Sequence, residues 1–118
     1  MSDSPPPAQV LVVDDQPLVA NALRRALRQH QVTTADSVDA ALQALAHHDY
    51  HVVFCDLMMP GRTGIDLYEE LHATGSPMAE RFVFMTGGAF TVRAREFLSR
   101  VTNPRIEKPF DIAEVRGL

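Results

Sequence analysis

The stretch Val10-Leu11-Val12-Val13-Asp14-Asp15 decides how the rest of the chain is read. Four consecutive apolar residues stop abruptly at two acids. Such a run, without polar alternation, is the pattern of a strand covered on both faces, as in a parallel sheet flanked by helices. Pro17 then suits the start of a helix, and Val19, Ala22, Leu23, Ala26 and Leu27 recur at helical spacing, so a helix is predicted to about Arg28.

The same alternation continues outward. Gln31 to Ala35 reads as a second strand. Ser37 then stands as N-cap to a helix striped by Val38, Ala41, Leu42 and Leu45. Val52-Val53-Phe54-Cys55 is a third strand ending at Asp56, followed by a helix through Ile65, Leu67, Tyr68 and Leu71 that Gly75 and Pro77 close. Phe82 to Met85 is a fourth strand ending at Thr86, Val92 to Arg100 a polar helix, and Arg105 to Glu107 a short fifth strand before Lys108. Ile112 and Val115 open a last, short helix. Strands alternating with helices imply one α/β domain, a five-stranded parallel sheet with helices on both faces. Pro5-Pro6-Pro7 makes residues 1–8 a tail or linker ahead of a domain spanning 9–118.

Composition narrows the function. The 118 residues carry 11 basic and 15 acidic side chains, a formal charge of −4, with 46% hydrophobic residues. That balance suits one soluble globular domain and gives no basic field for nucleic acid. Apolar runs are too short to cross a bilayer, and one cysteine with no signal peptide points to a cytoplasmic setting.

In a parallel sheet all strand C-termini share one edge, and ligands bind where the strand order reverses. With the order 2-1-3-4-5, that edge gathers Asp14 and Asp15 from the first strand and Asp56 from the third. Two carboxylates ~4 Å apart repel by about 4 kcal/mol at an effective dielectric of ~20, so the cluster calls for a cation. All-oxygen donors favour a hard ion such as Mg²⁺. Asp14 and Asp15 could instead be solvated acids capping the first helix, but that leaves the other strand-end residues unexplained. Cys55, inside an apolar strand, reads as an inert core thiol. His47 and His51 have the spacing of a metal pair, yet a helix end between them spoils the facing geometry.

These residues closely resemble the receiver domain of two-component response regulators. The resemblance runs from Val10 to about Ile112 and rests on Asp14-Asp15, on Asp56-Leu57-Met58-Met59-Pro60 with Gly64, on Thr86-Gly87-Gly88, and on Lys108-Pro109-Phe110. It implies the flavodoxin-like 2-1-3-4-5 fold and a phosphorelay function. Asp56 would accept a phosphoryl group from a phosphohistidine. Asp15 would bind Mg²⁺ directly, Asp14 mainly through water, and the Met58 carbonyl would complete the protein ligands. Lys108 would pair with Asp56, Thr86 would donate its hydroxyl to a phosphoryl oxygen, and Gly87 would leave room for in-line approach. The implied partner is a histidine kinase or histidine phosphotransfer domain. The protein would be a signalling module, not an enzyme with a separate substrate.

The segments Phe84 to Phe90 and Asn103 to Phe110 further resemble receivers fused behind hybrid histidine kinases, with a stand-alone relay or phosphate sink as the alternative. A Mg²⁺-dependent aspartyl phosphatase would want a second acid where Met58 stands, and a flavin module would want a phosphate-cradling loop in place of Asp14-Asp15. The short last helix, residues 111–118, leaves apolar surface that could fray or support a weak homodimer. Many family members carry an aromatic switch residue three places before the lysine; here that place is Arg105. Burying an unpaired guanidinium costs several kcal/mol, so Arg105 is expected to stay outside. It would pair there with an acid such as Glu107 or a partner's carboxylate, or else leave the face little changed in a domain that works mainly as a relay or sink.

Overall fold

Strand residues alternate between two faces, and helices with an apolar stripe cover each face. In the computed structural model, which describes residues 8–59, 61, 63–87 and 91–108, these elements are β1 (Gln9–Val13), α1 (Pro17–Ala26), β2 (Gln31–Ala35), α2 (Val38–His47), β3 (Val52–Asp56), α3 (Gly64–Ala73), β4 (Phe82–Thr86), α4 (Val92–Arg100) and β5 (Arg105–Glu107). The strands form one five-stranded sheet in the order β2-β1-β3-β4-β5, with every pair parallel. That is the doubly wound, flavodoxin-like order, with its reversal between β1 and β3. The chain joins the sheet at Ala8, whose carbonyl accepts from the Gln31 N–H at 2.9 Å. Residues 1–7, Pro60, Gly88, Pro109-Phe110 and the expected last helix lie outside the described residues.

Val10 to Val13 are all buried, which is why the run carries no polar alternation. Leu11, Val13, Val53, Cys55, Phe82 and Phe84 turn to the face covered by α2, α3 and α4. Val10, Val12, Phe54, Val83, Met85 and Ile106 turn to the other, where Ala20, Leu23 and Leu27 of the α1 segment pack. Aromatic rings form the centre of the first face. Phe84 meets Phe97 at 5.1 Å and Tyr68 at 5.5 Å between ring centroids, both edge to face, the arrangement that ring quadrupoles favour.

Local chemistry sets the ends of the helices. Ser37 caps α2 by accepting from the Ala40 N–H. Thr63 and Asp66 close a reciprocal capping box at the start of α3, and Gly75, at φ +73°, ends that segment in the left-handed conformation glycine tolerates. The first helix stops at Ala26, two residues short of the expected end, with the Leu27 N–H still bonded to the Leu23 carbonyl. Pro77, read from sequence as a stop, also begins a 3₁₀ turn over Pro77–Arg81. Ser76 caps it by accepting from the Met78 N–H, and the turn buries Met78 and Ala79. A Ser-Pro step both ends one helix and starts another.

Replacing Phe84 by alanine should cost about 3–5 kcal/mol, since it leaves a cavity among three aromatic side chains. Urea unfolding measures this directly; a loss below about 1 kcal/mol would show that the aromatic cluster does not hold this face together.

Candidate phosphorylation site

The C-terminal edge of the sheet brings the expected residues together. Asp14 directly follows β1, Asp56 ends β3, Thr86 ends β4 and Lys108 follows β5. Asp14, Asp56 and Thr86 are the buried polar or charged residues among those described, at 3%, 5% and 2% exposure. One carboxylate oxygen from each of Asp14, Asp15 and Asp56 lies within 4.8 Å of the others. Three ligands on one octahedral ion bonded at 2.0–2.1 Å include pairs about 3 Å apart, so the acids would close in by up to about 2 Å, or reach the ion through water, to share Mg²⁺. A cavity of about 390 Å³ opens beside Asp14 and Asp15 toward Asn21 and Asp36.

Each buried carboxylate has named partners. Asp14 accepts from the Gln16 N–H at 2.8 Å through Oδ1 and from Lys108 Nζ at 2.7 Å through Oδ2. Asp56 accepts from the Met58 N–H at 3.1 Å through Oδ1, and its Oδ2 lies 3.2 Å from Lys108 Nζ. The expectation paired Lys108 with Asp56; the ammonium in fact bridges both acids and stands closer to Asp14. Its three donors allow this, and the adjacent strand ends turn one oxygen of each acid toward it. Lys108 is delivered there by its own backbone, whose N–H donates to the Thr86 carbonyl at 2.7 Å.

These contacts set the titration behaviour. Burial raises the Asp56 pKa above its ordinary 3.8, and the charge of Asp14 adds to this against the Met58 N–H and Lys108, which lower it. Burial alone would lower the Lys108 pKa, but the hydrogen bond to Asp14 and the charges of Asp56 and Asp14 outweigh it and hold the value above 10.5. Burial also pushes the Cys55 thiol far above its ordinary range, with the nearby acids adding to the rise. Cys55 is an inert core residue in this geometry.

The walls of the site are tightly fitted on one side and open on the other. A Cβ on Gly64 would stand 2.2 Å from the Asp56 carbonyl oxygen and 2.9 Å from Cys55 Sγ, so only glycine lets α3 start this close behind Asp56. A Cβ on Gly87 would meet nothing within 4 Å, which leaves open space beside Thr86. The Thr86 hydroxyl donates to the Ile106 carbonyl at 3.4 Å, a long contact. Met58 has an exposed side chain and no carboxylate to offer. The histidines stay apart from the site: His47 lies 2.7 Å from the Gln43 carbonyl, and His51 accepts from the Gln9 N–H at 2.9 Å. Arg105 is exposed, and its Nη2 donates to the Leu98 carbonyl at 2.9 Å instead of pairing with Glu107. That carbonyl is among the last four of α4, which have no partner within their own helix.

The family model for the response regulator receiver domain matches residues 10–117. The chain belongs to this family. Among curated relatives, the receiver is 34% identical to the transcriptional regulatory protein FixJ of Azorhizobium caulinodans over 108 residues, 90% of this chain and 50% of FixJ. It is 47% identical to KdpE of Mycobacterium tuberculosis over 60 residues, 49% of this chain and 26% of KdpE. The match to the hydrogenase regulator HoxA of Cupriavidus necator spans only 14% of that protein. The receiver thus covers half or less of these relatives. Among solved structures, the Francisella response regulator receiver domain superposes with a TM-score of 0.76 at 25% identity over 92% of this chain and 89% of that one. A Pseudomonas putida receiver protein shares the fold at a TM-score of 0.82, 24% identity, and 97% and 96% coverage. Among the described residues no helix is long and apolar enough to cross a membrane.

The raised Asp56 pKa makes its ionisation cost the folded receiver stability. The cost is absent below pH 3.8, where the carboxyl is protonated in both states, and it grows as pH rises through the folded value. Asp56→Asn should therefore be more stable than the native chain at neutral pH, with the margin closing in acid. Urea midpoints across pH test this; a margin that is reversed, or that does not change with pH, would contradict the assignment.

Proposed function

We propose that this receiver takes a phosphoryl group from a phosphohistidine onto Asp56, in the presence of Mg²⁺, as a step in a two-component phosphorelay. The observation that carries the reading is the buried Asp56 carboxylate, flanked by two further acids and by Lys108, at the sheet edge where the strand order reverses. In the transfer, a carboxylate oxygen of Asp56 attacks phosphorus, the N–P bond of the phosphohistidine breaks, and the donor leaves as imidazole while an acyl phosphate forms.

The residues of the chain divide the work. Lys108 lowers the Asp56 pKa against the rise that burial causes, and afterwards its ammonium can follow the negative charge onto a phosphoryl oxygen. The Met58 N–H fixes one carboxylate oxygen of Asp56. Thr86 gives up little in leaving its long contact with Ile106, so its hydroxyl is free to turn toward the phosphoryl group. The open space at Gly87 admits the donor imidazole or a water in line. Asp15 directly, Asp14 mainly through water, Asp56 and the Met58 carbonyl would hold Mg²⁺. When bound, the ion neutralises the acidic cluster and the oxygens of the transferring group.

The donor on this reading is a histidine kinase or a histidine phosphotransfer domain, and the setting is cytoplasmic. The domain is a signalling module that promotes its own phosphorylation and dephosphorylation and has no separate substrate. Its parent would be a hybrid histidine kinase, with a stand-alone relay or sink as the other form. The relatives' names include both transcriptional regulators and the sensory/regulatory protein RpfC of Xanthomonas campestris, so they do not single out one parent. An aspartyl phosphatase is disfavoured because Met58 brings no second acid beside Asp56.

Incubation with acetyl phosphate and Mg²⁺ should add one phosphoryl group to the native chain and none to Asp56→Asn, read by intact mass. Equal labelling of both would refute the assignment, as would labelling that persists undiminished in EDTA. Asp15→Asn should weaken Mg²⁺ binding by about tenfold or more, for loss of one ligand and one charge; an unchanged titration would remove Asp15 from the metal site.

A further inference from the structure

Among the described residues, every other helical segment follows a serine or threonine whose hydroxyl caps it: Ser37 for α2, Thr63 for α3, Ser76 for the 3₁₀ turn and Thr91 for α4. The α1 helix has Gln16 in that place, and the Gln16 side chain caps nothing. Serine, threonine, aspartate and asparagine fill an N-cap well because a short side chain reaches the first free N–H groups. A glutamine there has another use. Gln16 Oε1 accepts from Lys108 Nζ at 3.5 Å, and the Gln16 backbone N–H donates to Asp14 Oδ1 at 2.8 Å. One residue thus touches both partners of the 2.7 Å Asp14–Lys108 pair. Gln16 is itself exposed, so its side chain can be exchanged without opening a cavity in the core.

We propose that Gln16 is a positioning residue that holds the Lys108 ammonium toward Asp14 and thereby shortens the time for which Asp56 keeps a phosphoryl group. An ammonium has three N–H donors. Among the described residues the acceptors around Lys108 Nζ are Asp14 at 2.7 Å, Asp56 at 3.2 Å and Gln16 at 3.5 Å, one for each donor. The Gln16 N–H on Oδ1 orients the Asp14 carboxylate, leaving Oδ2 for the ammonium, and the Gln16 amide oxygen takes a second donor on the same side. Only one donor then faces Asp56. On the function proposed above, on which this reading rests, a phosphoryl group on Asp56 brings oxygens that draw a donor from Lys108. The bond to Gln16 is the longest of the three and the one made to an uncharged acceptor, so it can be removed without touching an acid of the site. Hydrolysis of the acyl phosphate forms a bond from a water oxygen to phosphorus and breaks the bond from phosphorus to Asp56. The carboxylate returns, and inorganic phosphate leaves with the water's proton. In a loose transition state the phosphoryl oxygens lose negative charge to the departing carboxylate, so an ammonium committed to a phosphoryl oxygen favours the intact acyl phosphate. Gln16 competes for that ammonium.

Two substitutions separate this role from a structural one. Gln16→Met keeps the length of the side chain and removes the acceptor. Gln16→Asn keeps the amide but is too short to reach Lys108, and it gives α1 a favoured N-cap. The native chain and both variants are labelled with acetyl phosphate and Mg²⁺, the reagent is removed, and intact mass follows the loss of the phosphoryl group. Both variants should keep the group about threefold longer than the native chain, the scale of one lost hydrogen bond. Their urea midpoints should differ, with Gln16→Asn the more stable. The Lys108 ¹⁵Nζ NMR signal of the unphosphorylated chain should move in both. Equal or shortened lifetimes, lifetimes that rank with the urea midpoints, or an unmoved Lys108 signal would overturn the role of Gln16. Absence of label on every chain overturns the function proposed above and this role with it, whereas normal labelling with an unchanged lifetime overturns this role alone.

Discussion

A single ammonium group, Lys108 Nζ, stands 2.7 Å from Asp14 and 3.2 Å from Asp56, and the chemistry of the sheet edge depends on it. A parallel sheet forces every strand to end on the same side, so acids that end β1 and β3 become neighbours whatever their mutual repulsion. Two buried carboxylates without a counter-charge would protonate or push the strand ends apart. The short β5 exists, in this respect, to deliver a cation: its ladder continues into the bond from the Lys108 N–H to the Thr86 carbonyl, which fixes where the side chain begins.

The same edge is assembled from loops that constrain one another. Gly64 lets α3 begin against the Asp56 carbonyl, the Thr63–Asp66 capping box holds that start in place, and Asp66 also takes Arg93 from the first turn of α4. The loop carrying Asp56 and the helix that follows the Thr86 loop are thus tied by one carboxylate. Exposed ion pairs of this kind are worth little as stability; the consequence here is geometric, a tether between the starts of α3 and α4. On the far side of α4, Arg105 holds the Leu98 carbonyl, so the helix is gripped from both flanks.

Much of this was legible in the sequence because the signals are strong and local. The unbroken runs at Val10 and Val52 identify buried parallel strands, and the acids that end them then fall on one edge by topology alone. The residues that escaped notice are those whose role depends on a neighbour distant in sequence or on a short-range cap. Nothing local says that Lys108 approaches Asp14 more closely than Asp56, since that depends on where β5, at the sheet edge beyond β4, places its end relative to β1 and β3. The partner of Arg105 is a backbone carbonyl, which carries no sequence signal. The 3₁₀ turn after Ser76 and the Thr63–Asp66 box do carry local patterns, Ser-Pro and Thr-x-x-Asp.

The account stands on Asp56 being the atom-level acceptor, with Lys108 and the flanking acids as its setting. The most direct measurement treats the native chain with acetyl phosphate and Mg²⁺, reduces the acyl phosphate with borohydride, and maps the product by tandem mass spectrometry. Reduction converts a phosphorylated aspartate to homoserine, so the account predicts homoserine at position 56 and at no other acid. Homoserine at Asp14 or Asp15, or phosphate found on Thr86 or a histidine, would contradict it.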